Sequence, residues 1–184
     1  MRKALVAAAV SFVAIAALAG CVGHDPVVTL PPSPTTTPVF ASDEEALAAA
    51  EAAYGEYLRV SDEILIDGGA NPERLKPFVT DAFYEDELVG FRQAIEKGWH
   101  STGGTKVVNW TLQSFSPSDL RSVVIYLCSD VSAVDVLDSN GVSVVSANRP
   151  TQTAFEVGFV SGHKTTAALL VADKTVWDGG GVCG

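Results

Sequence analysis

The chain has 184 residues, 47 % of them hydrophobic, and carries 22 acidic against 12 basic side chains for a formal net charge of −10. That length and apolar content suit one folded domain with accessory segments. So acidic a surface excludes a phosphate-tracking nucleic-acid binder, which needs a basic footprint, and a direct electrostatic hold on anionic lipid.

Met1-Arg2-Lys3 is a short positive opening, and Ala4 to Ala19 is apolar apart from Ser11. The apolar run is shorter than the roughly 20 residues that a membrane-spanning helix needs. Positive start, short apolar stretch and small residues at its end read as a secretory signal over residues 1–20. Its removal would take away Arg2 and Lys3 and leave the mature chain more acidic still.

The signal closes on Leu18-Ala19-Gly20-Cys21. This resembles the lipobox of bacterial lipoproteins: a leucine, two small residues and a cysteine. The resemblance implies that the Cys21 thiol receives a diacylglyceryl group, that cleavage falls just before it, and that Cys21 becomes an acylated, palmitate-type N-terminus. Two or three acyl chains anchor stably where one holds only marginally. The expectation is a lipid-anchored protein on the extracytoplasmic face of the cell membrane, with the bilayer as its first partner. An ordinary secretory signal with an incidental cysteine is the alternative.

Residues 21–41 hold Pro26, Pro31, Pro32, Pro34 and Pro38 around Thr35-Thr36-Thr37. Proline lacks an amide hydrogen and fixes φ, so this stretch reads as an extended, semi-rigid spacer. Pro/Thr-rich stalks also accept O-linked sugar.

The folded domain is expected over residues 42–184. Ser42 with Glu45 three residues on reads as a capping box. Leu47, Ala50, Tyr54, Tyr57, Ser61 and Ile64 then recur at helical spacing, and Gly68-Gly69 ends the helix. Asn71-Pro72-Glu73 reads as a second helical start. Tyr84, Leu88, Phe91 and Ile95 mark a third helix ending near Gly98.

After Gly104 the period changes to two: Val108, Trp110 and Leu112 alternate with polar residues, and Ser116-Pro117-Ser118-Asp119 breaks the run. Val123 to Val131 reads as a long apolar strand, with Val134 to Leu137 continuing it or following a bulge. Asn140-Gly141 signals a hairpin with a return over Val142 to Val145. Phe155, Val157 and Phe159 alternate in the next strand. Ser161 to Lys164 reads as a turn, and Thr165 to Trp177 as the last strand.

Helices followed by antiparallel strands predict an α+β fold, with the N-terminal helices packed on one face of a curved antiparallel sheet. This order of elements resembles the nuclear transport factor two-like, or SnoaL-like, superfamily over about residues 42–178. The resemblance implies a cone-like sheet around a cavity. Leu127-Cys128-Ser129-Asp130, Val136-Leu137-Asp138-Ser139-Asn140-Gly141 and the closing Trp177 and Cys183 resemble a narrower group of bacterial lipoproteins with such a domain, which brings no activity with it.

With Cys21 assigned to lipid, Cys128 and Cys183 remain. In an oxidising exterior they most simply pair, which on chain-entropy grounds stabilises by roughly 4 kcal/mol. A redox pair is the alternative, although there is no Cys-x-x-Cys.

Other motifs carry less. Ser161-Gly162-His163-Lys164 matches Ser-x-x-Lys but sits in an expected turn without its partner motifs. Asp138-Ser139-Asn140-Gly141 resembles part of a calcium loop, but Val136 and Ala147 stand at the required ligand positions. Asn109-Trp110-Thr111 fits a glycosylation pattern inside a strand. His24, His100 and His163, read as linker and loop residues, form no metal-ligand spacing. Neither metal nor cofactor is expected. Asp130, Asp135 and Glu156 lie in or beside strands, where alternate residues usually face solvent; the superfamily resemblance implies that one facing inward in an apolar cone would have the raised pKa that acid–base catalysis needs.

The expected function is a non-catalytic binding or interaction module at the cell envelope, for an unspecified ligand or protein. An isomerase- or hydrolase-type enzyme using a buried carboxylate is the alternative, and an accessory structural role a third.

Overall fold

The computed structural model describes residues 40–116, 122–162 and 169–184. The signal, Cys21, the spacer up to residue 39 with His24, the Pro117-Ser118-Asp119 break, and His163 with Lys164 lie outside the described residues; Phe40, at the end of the expected spacer, is buried in the core.

Helix α1 (Asp43–Ile66) starts where expected. The Ser42 hydroxyl accepts from the Glu45 amide at 3.3 Å, and the Glu45 carboxylate accepts from the Ala41 amide at 2.7 Å. The return bond of this capping box falls one residue before the cap. Asp43, Glu44 and Glu45 place negative charge at the positive end of the helix dipole. The face buried in the core is Ala46, Ala50, Tyr54, Tyr57, Val60, Ser61 and Ile64, and the expected Leu47 is half-buried beside Ala46. The chain leaves α1 through Gly68 and Gly69 at positive φ, and a Cβ on Gly69 would run into the Phe91 carbonyl.

Asn71-Pro72-Glu73 does begin a helix, but a 3-10 one, Pro72–Phe78. Pro77 inside it supplies no amide hydrogen, which keeps the turn short. Thr80 caps α2 (Asp81–Lys97), its hydroxyl accepting from the Phe83 amide at 3.3 Å, and Gly98 at φ 65° ends it. Tyr84, Leu88 and Phe91 face inward as the spacing predicts, and Phe83 joins them. Ile95 does not: it is 56 % exposed, and Ala94 takes the buried position.

The strands are β1 (His100–Thr102), β2 (Lys106–Phe115), β3 (Val123–Asp130), β4 (Asp135–Leu137), β5 (Gln152–Ser161) and β6 (Leu169–Val176). Four of them form an antiparallel sheet in the order β2-β3-β5-β6. The expected extension of β3 through Leu137 is corrected: β4 leaves that sheet and pairs with β1 in a two-stranded one. His100, expected in a loop, is therefore a strand residue opposite Leu137. The Asn140-Gly141 turn closes with the Asp138 amide donating to the Val142 carbonyl at 2.9 Å. Its return shrinks to one bridge, Leu137 with Ser143, and Val142 and Val144 stay exposed because no core lies beneath them.

Bulges decide which side chains reach the core. In β2 the pairing with β3 slips between Val107 and Asn109 and again between Leu112 and Ser114. Val107, Trp110, Leu112 and Phe115 consequently pack against the core, while Val108 is 53 % exposed, contrary to strict alternation from Val108. The helices lie on one face of the sheet, against Val123, Ile125, Leu127, Val157, Phe159 and Val171. The fold is α+β, as predicted.

The C-terminal tail covers part of the opposite face. Trp177 lies on Tyr126 with ring centroids 4.4 Å apart, and the Asn109 side-chain amide donates to the Val182 carbonyl at 3.0 Å. Cys128 and Cys183 are joined in a disulfide, their Cα atoms 5.1 Å apart, as expected.

Candidate functional site: a polar pocket under helix α1

A pocket of about 260 Å³ opens between the inner side of α1, the end of β3 and the facing parts of β5 and β6. Leu58, Leu65, Val131 and Phe155 give it an apolar wall, and three charged side chains, Asp62, Glu87 and Lys174, line it.

Each charge arrives by a local structural device. Asp62 follows Ser61 at the edge of the buried stripe of α1. The glycine turn between β1 and β2 brings Thr105 to it: the Thr105 amide and hydroxyl donate to the two Asp62 oxygens at 2.8 and 3.0 Å. Gly103 makes that turn possible, with φ 75° and a backbone so close to the Ala133 carbonyl that a Cβ would collide with it. Glu87 comes from α2. Lys174 comes from β6, where the pairing shifts between Gly158 and Phe159 of β5 and leaves Ala172 without a partner. Beyond that bulge Lys174 pairs with Val157, and antiparallel partners share a face, so Lys174 lies on the helix side. Alternation from Leu169 and Val171 alone would have put Asp173 there.

Lys174 and Glu87 meet on Tyr57. The Tyr57 hydroxyl donates to Glu87 Oε2 at 2.9 Å and accepts from Lys174 Nζ at 3.0 Å, and the two charges are 4.0 Å apart. Lys174 Nζ also stands 5.4 Å above the Tyr57 ring and 5.5 Å above that of Phe155. Burial, and then the negative charge of Glu87, push the Tyr57 hydroxyl well above its usual titration range. Burial, followed by Glu87 and Asp62, also raises Tyr54.

Three other hydroxyls in the lining differ from that of Tyr57. Tyr54 is 2 % exposed and Ser61 and Ser129 are 7 % exposed, and none has a hydrogen-bond partner among the described residues. Nor does Asp62 have a cationic partner among them. Buried polar groups are normally satisfied, so three orphaned hydroxyls on one pocket are a feature to be explained.

The carboxylates singled out from sequence do not converge here. Register puts Asp130 and Glu156 on the helix-free face, because Asp130 pairs with Gln152 and Glu156 with Tyr126. Asp130 accepts from the Gln152 side chain at 3.0 Å and the Ser132 amide at 2.8 Å, and these bonds lower its pKa to about 2. This is opposite to the raised pKa that the enzyme alternative needs. Asp135 lies in β4 and accepts from Ser143 Oγ at 2.6 Å.

Other motifs serve structure. Asp138 accepts from the Val142 and Asn140 amides at 2.9 and 2.8 Å, which hold its carboxyl below the usual range and lock the turn. Asn109 ties down the tail, and Ser161 ends β5. Among the described residues no group of His, Cys, Asp and Glu is arranged to hold a metal ion, and no helix is long and apolar enough to cross a membrane. Two larger depressions, at the start of α1 and beside the end of α2, are lined by no buried polar side chain.

No known protein family and no curated protein matches the chain. Among solved structures it is similar to the intermembrane space region of the chloroplast protein ARC6, with a TM-score of 0.50 and 10 % identity, over 71 % of this chain and 95 % of that one. A designed β-sheet protein aligns over 75 % of this chain and 92 % of its own at 14 % identity, with a TM-score of 0.33. At such identities the ARC6 likeness concerns the fold alone.

Proposed function

We propose that this is an exported lipoprotein, anchored to the extracytoplasmic face of the cell membrane by acylated Cys21. Its α+β domain is a non-catalytic module that binds a small ligand at the envelope. The observation that carries the binding role is the pocket under α1. Its apolar wall carries buried hydroxyls with no partner among the described residues, while Glu87, Lys174 and Tyr57 are already engaged with one another. Free hydrogen-bonding capacity suits recognition, and a committed carboxylate and amine suit it better than proton transfer in an isomerase or hydrolase. The nuclear transport factor two-like resemblance agrees with a pocket between helices and sheet. Export is supported by the Cys128–Cys183 disulfide, a bond that persists in oxidising compartments.

Anchoring is tested by feeding labelled palmitate to a bacterial host that expresses the full chain. The expected result is a labelled protein in the membrane fraction, with Cys21→Ser unlabelled and released. Label retained by Cys21→Ser, or a wild-type chain without label, would overturn the anchor.

A further inference from the structure

We propose that the pocket under α1 takes a small organic cation: an ammonium head seated against Asp62 and the orphaned hydroxyls, with an apolar body on Leu58, Leu65 and Phe155. This rests on the binding role proposed above and names the ligand class.

Charge balance is the first ground. The lining has two carboxylates and one amine. Lys174 is spent on Glu87 and Tyr57, at 4.0 and 3.0 Å. Asp62 is left with two neutral donors from Thr105, at 2.8 and 3.0 Å, and no cation among the described residues. A half-buried carboxylate without a counter-charge attracts a positive group and repels a negative one, more strongly than at a fully hydrated surface. The formal net charge of −10 acts in the same direction on an approaching ligand.

The hydroxyls are the second ground, and an independent one. Tyr54, Ser61 and Ser129 are each more than nine-tenths buried, face one cavity and have no partner among the described residues. A hydroxyl oxygen accepts from N–H, so the three supply acceptors for an ammonium group whose charge Asp62 neutralises. The wall already performs this recognition once, since the Lys174 ammonium stands over the Tyr57 and Phe155 rings.

Size is the third. A pocket of about 260 Å³ holds on the order of eight water-sized groups at ~30 Å³ each. That admits a compact amine.

The test compares three probes of one shape, benzylamine, benzyl alcohol and benzoate, titrated by NMR into the full-length chain in detergent micelles. Benzylamine is expected to shift the amides of Ser61 and Ser129 saturably and to bind at least about tenfold more tightly than the alcohol, a ratio set by one charge-assisted contact. Benzoate is expected not to bind. Asp62→Asn should erase the advantage of the amine, and Asp130→Asn, outside the pocket, should leave it unchanged. An amine no tighter than the alcohol, or indifferent to Asp62→Asn, overturns the cation assignment while leaving a binding pocket in place. If none of the three binds, the cation assignment falls, and Tyr54→Phe and Ser129→Ala then judge the pocket. Orphaned hydroxyls can be removed without lowering the unfolding midpoint. A lowered midpoint for both would mean that the fold uses them itself, and the binding role would fall as well.

Discussion

Tyr57 accepts from one charged side chain and donates to another through a single oxygen, in a ring that is 1 % exposed. Tyr57→Phe keeps the ring but leaves Glu87 and Lys174 facing each other at 4.0 Å without the bridge. The expected loss is about 1–3 kcal/mol in equilibrium urea unfolding, the range for stranding partly buried charged partners. The same burial makes stability sensitive to alkali. Tyr54 and Tyr57 hold their protons in the folded state above the ordinary value of 10.0. Their contribution is complete below pH 10 and declines as pH rises from there, because the unfolded chain alone gains by ionising. A pH series of denaturation midpoints should be flat up to about pH 9 and then fall. Tyr54→Phe should make that fall shallower. Asp130 has the opposite sign: its carboxyl is lowered from 3.8 to about 2, so its contribution is present above 3.8 and fades as pH drops towards 2.

Turns and bulges decide more at the scale of the element than the strands they interrupt. Gly103→Ala would put a Cβ into the Ala133 carbonyl at a φ of 75°. The expected cost is on the order of 2 kcal/mol, as for other backbone positions forced into strain, with loss of the Thr105 contact to Asp62. Denaturant midpoints and the Thr105 amide resonance would report both. Helical period, capping residues and glycine stops made α1 and α2 legible, an unbroken apolar run made β3 legible and alternation β5, because those signals are local. The pocket was not legible. Tyr57 reads as one more residue of an amphipathic stripe, and Glu87 as a helix-surface charge. Lys174 falls on the wrong side of β6 until the unpaired Ala172 turns it round. A bulge depends on the partner strand, and no residue in β6 announces it. Val107 and Val108 exchange roles for the same reason. The short β1–β4 sheet was hidden as well, since strands of three residues are shorter than the periods that reveal them.

For the molecule as a whole, the covalent cross-link among the described residues is the disulfide, which spans 55 positions and holds the tail on the helix-free side of the sheet. The two cysteines were legible as a pair once Cys21 was set aside for lipid. What the tail covers was not, because Trp177 and Asn109 meet their partners only in three dimensions. Cys183→Ser is expected to cost about 4 kcal/mol in equilibrium unfolding, the entropy of opening a loop of this length. It should also free Trp177 from Tyr126, which Trp fluorescence would show as a shift to longer wavelength.

The staple has one more consequence, for the life of the protein inside the cell. A copy held back in the reducing cytosol would lack the bond, and its last residues would peel from a sheet face carrying Cys128 and Tyr126. Loose, glycine-rich ends are what proteases grasp, and a stability loss of a few kcal/mol is enough to lower abundance several-fold. Under the proposed export, oxidation outside the cytosol would work as a checkpoint: copies that reach the right compartment become durable, and stragglers are marked for removal by their own unfinished fold.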